Sequence, residues 1–196
     1  MVYGIVNPTG GQNVSASQFG QKVKAAIDDL DLRVSSVEGN QQRVLKRGRR
    51  ITDRTGIATT EVGILRVDNC PVLAGTMYRI STSSINLDID PNTTPAGEVQ
   101  TAILRVAYSA TTGTLATTTS PEIGRIRMNL ADASQGPVLP AQGFYFAAAD
   151  GYISVILTSF RQAGSATLKI AASSTVPLDL TIEYAGDDPG DTGVVL

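Results

Sequence analysis

Asp88 and Asp90 are the residues whose type and spacing come closest to a catalytic pair in this sequence. Two carboxylates can cleave a glycosidic bond when an apolar, aromatic cleft raises the pKa of one of them. The chain has no Trp, however, and its six Tyr and four Phe residues are scattered. Positions i and i+2 at a strand end share one face, and a solvated role beside a turn is the favoured interpretation of the two aspartates.

The chain also has no histidine. Without it, Ser-His-Asp and Cys-His arrangements cannot form, and the commonest general base is missing. No glycine-rich phosphate loop stands between a strand pattern and a helix pattern, so nucleotide binding has no support. We therefore predict that the chain is not an enzyme and that it uses no cofactor.

The segment 88–92, Asp-Ile-Asp-Pro-Asn, matches the first ligands of a calcium-binding loop. Thr93 stands where that loop requires Gly and Val99 where it requires Glu, so the match fails at both decisive positions. The single cysteine, Cys70, supports neither a disulfide framework nor a zinc site built from several cysteines. The sequence predicts no metal site. A surface calcium site remains an alternative at Asp88, Asp90 or the cluster Asp187, Asp188 and Asp191.

Length and charge indicate one β domain with an appendage. The 196 residues are 42% hydrophobic, enough for one core, and the formal net charge is −2. Residues 1–56 carry nine Lys or Arg and five Asp or Glu, a net +4, and residues 57–196 carry the remaining −6. The N-terminus lacks a signal-peptide pattern, and no apolar run approaches the roughly 20 residues that span a bilayer. We expect a chain that is soluble, is not exported by the usual signal and has no membrane partner.

Residues 1–14 are rich in Gly, Asn and Pro and predict an extended attachment arm, with simple fraying as the alternative. A capping box over Ser15–Gln18 predicts that a helix begins there. From Val23 the apolar residues follow a heptad spacing, which predicts a coiled coil within residues 15–50. The seam consists of Val23, Ile27, Leu30, Val34, Val37, Gln41 and Val44.

The heptad positions beside the seam favour a contact between chains. They are mostly polar, whereas a helix packed on its own domain usually has a wider apolar stripe. A parallel arrangement would bring Arg33 of one chain to Glu38 of its neighbour as an interchain ion pair. β-Branched residues at both core positions favour three strands, so we predict a homotrimer, with packing of the helix on its own domain as the alternative.

The end of the predicted helix is the most basic part of the chain. Its cations form what we call the basic collar, which can be solvated, can meet an acidic protein surface or, less favourably, can meet nucleic acid. Nucleic acid is disfavoured because no aromatic residues are interleaved with the cations. The collar residues are Arg43, Lys46, Arg47, Arg49, Arg50 and Arg54.

Beyond residue 57 the pattern changes to period two, with turn residues between short runs. Such spacing predicts an antiparallel β-sandwich over residues 57–185, a jelly roll by preference, almost without helix. Residues 186–196 form an acidic tail. The predicted strands are Glu61–Val67, Val72–Ile80, Ser84–Ile89, Val99–Tyr108, Ile123–Leu130, Phe144–Ala148, Tyr152–Phe160, Ala166–Ala172 and Leu178–Tyr184.

Two segments resemble known proteins. Residues 10–34, with Gly10-Gly11-Gln12, Ser15–Gly20 and Ala26–Val34, resemble the start of small virion proteins of tailed actinobacteriophages. Thr181–Tyr184 followed by Asp188–Gly193 is similar to the C-terminal ends of those proteins. This resemblance implies a trimeric virion protein, either a head decoration, a head fibre or a short tail fibre, assembled in the host cytoplasm and bound to a major capsid or tail protein.

Three functions are therefore open. The first is a structural virion protein attached through its N-terminal region, and the second is a receptor-binding tail-fibre or tail-tip module that recognises a host glycan or surface protein. Scarce aromatic residues weaken the second for sugars. The third, a trimeric ligand resembling the tumour-necrosis-factor class, is disfavoured because we see neither an export signal nor a membrane anchor.

Overall fold

The computed structural model describes residues 23, 24, 26, 27, 44–90, 97–130 and 140–187. The chain divides into two compact units, Met1–Gln41 and Gln42–Leu196. Within the first unit, the four described residues are helical, and Val23 and Ile27 are exposed. No helix among the described residues has the length and apolar character needed to cross a membrane.

The described part of the second unit is all β. Its eleven strands form three sheets, which we call A, B and C, with orders β1-β11-β4-β8, β2-β10-β5 and β3-β9-β6-β7. Every pairing is antiparallel. The strands are β1 Val44–Arg50, β2 Arg54–Ile57, β3 Val62–Val72, β4 Thr76–Thr82, β5 Asn86–Ile89, β6 Glu98–Ser109, β7 Glu122–Leu130, β8 Gln142–Ala147, β9 Gly151–Ala163, β10 Leu168–Ala171 and β11 Leu178–Asp187.

Sheets A and C form a jelly roll. Of their eight strands, the first pairs with the last, β1 with β11, and the pairs β3 with β9, β4 with β8 and β6 with β7 nest inside it. This nesting is the double Greek key of a jelly roll. The connections β1–β3, β4–β6 and β9–β11 all cross between the sheets at the same end, and each contributes one strand to sheet B.

One core joins the three sheets, because alternate residues on each strand point inward. Ile80 and Leu180 contribute from sheet A, Leu104 and Leu157 from sheet C, and Leu168 from sheet B; all five are fully buried. The β6 and β9 segments in the middle of sheet C are buried on both faces, which explains their nearly continuous runs of apolar and small residues.

Glycines close both open sides of the sandwich. A Cβ at Gly48 on β1 would lie 2.9 Å from Val67 Cγ2 on β3. On the other side Gly124 on β7 and Gly143 on β8 lie against each other's strands, and a Cβ at either would overlap a backbone carbonyl oxygen. Only residues without a side chain allow the edges of the two sheets to come this close.

The predicted β-sandwich is confirmed, and so is the near absence of helix in its described part. All nine predicted strands are present, although Val72 ends β3 instead of opening β4. The Thr- and Ala-rich stretch 110–121 is a loop between β6 and β7.

One correction concerns β1. The structure has a strand over Val44–Arg50, where the sequence analysis placed the last heptad position and the end of the helix. Strand pairing with β11 overrides the heptad spacing at this point, and the β domain therefore begins at residue 44 instead of 57. The remaining seam residues Leu30, Val34, Val37 and Gln41, the pair Arg33 and Glu38, and Arg43 lie outside the described residues.

Candidate interaction face

The outer face of sheet A combines charged, hydroxyl and aromatic side chains in ordered rows. Their alternate neighbours, such as Tyr78, Ile80 and Ile182, point into the core. The face changes from charged at its β1 margin to apolar at its β8 margin. It consists of Arg47 and Arg49 from β1, Asp179, Thr181 and Glu183 from β11, Met77, Arg79 and Ser81 from β4, and Gln142, Phe144 and Phe146 from β8.

At the β1 margin, two arginines share one carboxylate. Arg49 Nε donates to Asp179 Oδ1 at 2.8 Å, and Arg47 donates to Asp179 Oδ2. Only 14% of the Asp179 side chain is exposed. Burial raises the pKa of Asp179, but the hydrogen bonds from Arg49 and Arg47 outweigh burial and hold that pKa below its ordinary value.

The centre of the face is also internally paired. Arg79 Nε donates to Glu183 Oε2 at 2.9 Å across β4 and β11. The hydroxyl oxygens of Ser81 and Thr181 lie 3.1 Å apart on the same two strands. Each charged group of this face therefore contacts an opposite charge within one chain, and the three arginines exceed the two carboxylates by one positive charge.

The β8 margin is apolar and open. Phe144 is 53% exposed and Phe146 is 45% exposed, and they stand two residues apart on the same side of β8. Phe146 lies opposite Met77, and Phe144 lies opposite Arg79. Together with Met77 they form what we call the aromatic strip. Large apolar side chains grouped on a sheet face are typical of a contact with another protein surface.

Most of the basic collar is bonded within its own domain. Lys46 Nζ donates to the carbonyl oxygen of Asn69 at 3.1 Å, and Arg50 Nε donates to that of Thr52 at 2.8 Å. These two residues alternate along β1 with Arg47 and Arg49, which bind Asp179. Arg54 is exposed at the start of β2.

The two aspartates considered for chemistry lie at the end of β5. Asp88 is buried and pairs with Lys169 Nζ at 2.9 Å, and the hydrogen bond that Lys169 donates to Asp88 raises the pKa of Lys169. The backbone N–H of Asp90 donates to the carbonyl oxygen of Thr167 at 2.8 Å. Within the described ranges, no three acidic, Cys or His side chains come together as metal ligands. Asp188 and Asp191 are outside those ranges.

Cys70 and Glu98 are buried groups with structural roles. Desolvation raises the pKa of the Cys70 thiol to about 11, so the reactive thiolate is scarce at neutral pH. Glu98 Oε1 accepts the backbone N–H groups of Ser165 and Ala166 at 2.8 and 2.9 Å. Gly164 precedes them with φ +92°, and a side chain there would collide with the Glu98 carboxylate.

Two shallow depressions lie at opposite ends of the sandwich. One of about 200 Å³ at the sheet B end is lined by Asp53, Asn86, Ser173 and Val176. Asn86 Oδ1 is buried there and has no hydrogen-bond partner among the described residues. The other, of about 310 Å³, lies at the end where β1 begins and contains Leu73 and Tyr152.

Sequence reasoning missed Phe144 and Phe146 as surface residues. The run Phe144-Tyr145-Phe146 predicts a strand without showing which aromatic side chains point outward. Gly143 was the available signal, because a glycine suited to a close backbone approach marks the inward positions of β8.

No known protein family matches the chain, and neither does any curated protein sequence. Among solved structures, Eiger TNF from S. frugiperda is 8% identical over 78% of this chain and 100% of its own, with a TM-score of 0.39. The CBM22-1 xylan-binding domain from Paenibacillus barcinonensis Xyn10C is 11% identical over 75% and 97%, with a TM-score of 0.27. A chain of infectious bursal disease virus, Gx strain, is 11% identical over 70% and 38%, with a TM-score of 0.21. These are distant similarities among β folds and do not extend to function.

Proposed function

We propose that the chain is a non-enzymatic structural protein of a phage particle, a homotrimeric capsid decoration or fibre appendage attached through its N-terminal region. The observation that carries the proposal is a pair of exposed apolar residues in the predicted seam. Val23 and Ile27 are helical, one turn apart, and are 42% and 52% exposed in the single chain. Apolar residues at heptad spacing on an exposed helix are stabilised when identical helices cover them.

The jelly-roll domain supports a structural role. Its charged groups near candidate sites are engaged in pairs within the chain, as for Asp179, Glu183 and Asp88. The phage assignment itself comes from the sequence resemblance of residues 10–34 and 181–193, and the virion is therefore the proposed location. A major capsid or tail protein is the proposed attachment partner.

Sedimentation equilibrium of the full chain tests the oligomer. We expect the wild type to have the mass of three chains and the variant Ile27→Glu to approach the mass of one, because a charge would replace a core position of the seam. Ala25→Glu is the matched control, since the heptad spacing places position 25 on the side of the helix opposite the seam. An unchanged mass for Ile27→Glu would contradict the seam.

Mass spectrometry of purified phage particles tests the location. The proposal predicts peptides of this chain in intact virions, at a copy number divisible by three. Finding the chain in infected cells and never in purified particles would contradict a structural role in the virion.

The depression beside Asn86 favours a second candidate function, recognition of a host glycan or surface protein. Asn86 lines this depression of about 200 Å³, and its Oδ1 is closed to solvent and has no hydrogen-bond partner among the described residues. A rotation of the side chain would let this oxygen accept a hydrogen bond from a ligand hydroxyl. Binding of the full chain to a glycan array, lost in Asn86→Ala and kept in the exposed control Asn129→Ala, would support recognition. The absence of binding by the wild type to any glycan would remove the sugar-binding form of this candidate.

A further inference from the structure

We propose that strand β1 is a releasable strand, which leaves the edge of sheet A and returns to it while the other ten described strands stay folded. This inference goes beyond the proposed function. It rests on that function in one respect, because a released β1 lengthens the connection between the β domain and the proposed N-terminal attachment.

Strand β1 contributes no side chain to the core. None of its seven residues is buried, whereas each of the other ten described strands contributes at least one buried apolar residue. The inward positions of β1 are Lys46, Gly48 and Arg50, and its backbone pairs with a strand on one side only. Elements with few buried apolar groups open at a low free energy. Burial therefore favours β1 as the first strand to leave the fold.

Charged side chains attach β1 to its neighbours instead. Its two outward arginines share the Asp179 carboxylate on β11, as described above. On the inward side, Lys46 Nζ donates to the carbonyl oxygen of Asn69 on β3 at 3.1 Å. Arg50 Nη1 donates to the carbonyl oxygen of Ile64 on the same strand at 3.4 Å. Water can replace these bonds once the strand leaves, so each contributes little to keeping β1 in place.

The charge on the two parts makes the attachment sensitive to salt. Strand β1 carries four cations among its seven residues. Residues 57–196 carry a net −6, and because Asp53 and Arg54 cancel, residues 51–196 also carry −6. Repulsion among the four cations is present in the attached and in the released strand, so release changes mainly the attraction to the acidic domain. Dissolved salt screens that attraction. High ionic strength should therefore favour release.

Release changes both the domain and its connection. The backbone at Gly48 lies directly against Val67, since a Cβ there would be 2.9 Å from Val67 Cγ2. Departure of β1 therefore uncovers Val67, which is 4% exposed, together with the edge of β11. Seven released residues at about 3.3 Å each add up to about 23 Å of free chain. The domain would then move on a longer connection without unfolding.

Strand β8 is the matched comparison, because it is the other edge strand of the same sheet. It contains no charged residue. Ala147 of β8 is fully buried, and Tyr145 packs against the core. If an edge position alone caused release, β8 would open as readily as β1.

Hydrogen exchange of the full-length chain, followed by mass spectrometry, tests the inference. The measurement is made in about 0.1 M and about 1 M NaCl, where the Debye length is about 10 and about 3 Å. We expect the most protected amides of β1 to exchange at least about 10-fold faster than those of β8. High salt should speed β1 by a further factor of about 3 and leave β8 unchanged. Exchange of β1 as slow as that of β8, or independent of salt, would overturn the inference.

Two variants distinguish release of β1 from unfolding of the whole domain. Asp179→Asn should speed exchange in β1 about 5-fold, because it removes the carboxylate that the two arginines share. Ile103→Val is the matched control: Ile103 is buried on β6, and its substitution should speed the slowest amides of β9 about 5-fold and leave β1 unchanged. Faster exchange of β1 in Ile103→Val would mean that β1 opens only with the whole domain and would overturn the inference.

A disulfide that fixes β1 gives a second readout. Residues 47 and 181 lie directly opposite each other on β1 and β11, within reach of a disulfide. In the oxidised double variant Arg47→Cys, Thr181→Cys, exchange in β1 should slow to the rate of β9, and reduction should restore fast exchange. Fast exchange in the oxidised form would show that the strand need not leave β11 and would overturn the inference.

The outcomes separate this inference from the proposed function. A wild-type chain that sediments as a monomer contradicts the proposed trimer, and the exchange of β1 can be measured equally well in a monomer. A strand β1 that exchanges as slowly as β9 overturns the release alone and leaves the proposed function in place.

Discussion

The outer faces of sheets A and C are built from similar pairs but present different surfaces. On sheet C, Arg105 donates to Glu61 at 2.7 Å and Arg125 donates to Glu122 at 2.7 Å, much as Arg79 and Arg49 bind carboxylates on sheet A. Sheet C adds the exposed cation Arg127, whereas sheet A adds two half-exposed phenylalanines.

Ion pairs therefore do not distinguish a functional face in this molecule. Pairs of this kind stabilise either sheet modestly, since exposed examples contribute at most about 1 kcal/mol. The distinguishing feature is what remains after the charges are paired. Each face has three arginines and two carboxylates. On sheet A every arginine contacts a carboxylate and the neighbouring exposed side chains are aromatic, whereas on sheet C Arg127 is exposed without an ion-pair partner among the described residues.

The largest expected effect is at Gly124, where β7 at the edge of sheet C meets β8 at the edge of sheet A. We expect Gly124→Ala to destabilise the domain by about 3 kcal/mol or more, because the new methyl group would overlap the carbonyl oxygen of Gln142. Thermal unfolding measures this. Gly63→Ala is the matched control, since its Cβ would meet only the flexible end of Ile156 at 3.0 Å. Equal tolerance of both substitutions would refute the close approach.

A carboxylate substitution on each face compares their ion pairs. Asp179→Asn replaces the carboxylate that two arginines share with an uncharged amide that has one acceptor oxygen, and we expect the unfolding temperature to fall by about 3–6 °C. Glu122→Gln on sheet C should lower it by about 2 °C or less, because 34% of the Glu122 side chain is exposed and it binds a single arginine. The reverse order would contradict the shared acceptor at Asp179.

Acid should weaken both faces together. Interactions in the fold lower the pKa of Asp179 from 3.8 and that of Glu61 from 4.5. For Glu61, burial acts in the raising direction, and the hydrogen bonds from Arg105 and Thr158 outweigh it. Because the folded pKa values are depressed, the stabilisation is complete above about pH 5 and is lost as the pH falls through the folded values. The unfolding temperature measured between pH 6 and 3 should show this decline. The double variant Asp179→Asn, Glu61→Gln should lose less of its unfolding temperature over the same range. An equally steep decline in that variant would mean that other groups cause the acid sensitivity.

The smallest effect is expected at Arg127. Arg127→Ala removes an exposed cation that has no ion-pair partner among the described residues, so we expect a stability change within about 0.5 kcal/mol and an unchanged oligomer mass. Dissociation of the oligomer in this variant would show that sheet C faces the neighbouring copy.

Much of the fold could be predicted from the sequence because most strands bury one face. In β11, for example, the apolar residues Leu178, Leu180 and Ile182 alternate with polar residues, and this pattern identifies the inward side of the strand. Strand β1 was not predicted because its inward positions are Lys46, Gly48 and Arg50. Apolar residues therefore do not recur at every second position of this strand. Charged residues suit an edge strand, and the same cations were interpreted as the end of a helix.

The candidate face could not be predicted because it depends on pairing between distant segments. Residues 47 and 49 meet residue 179 only once β1 lies beside β11, and no local spacing indicates this register. The exposure of Phe144 and Phe146 likewise depends on Gly143 facing β7. The sequence contains the alternation of β8, and Gly143 identifies its inward side only once the close approach to β7 is known.

Sedimentation equilibrium of the full-length wild-type chain over a wide concentration range tests the central claim most directly. A chain of 20.5 kDa that assembles in threes should give three times that mass, about 61.5 kDa, at high concentration. A mass of 20.5 kDa at every concentration would contradict the helical seam.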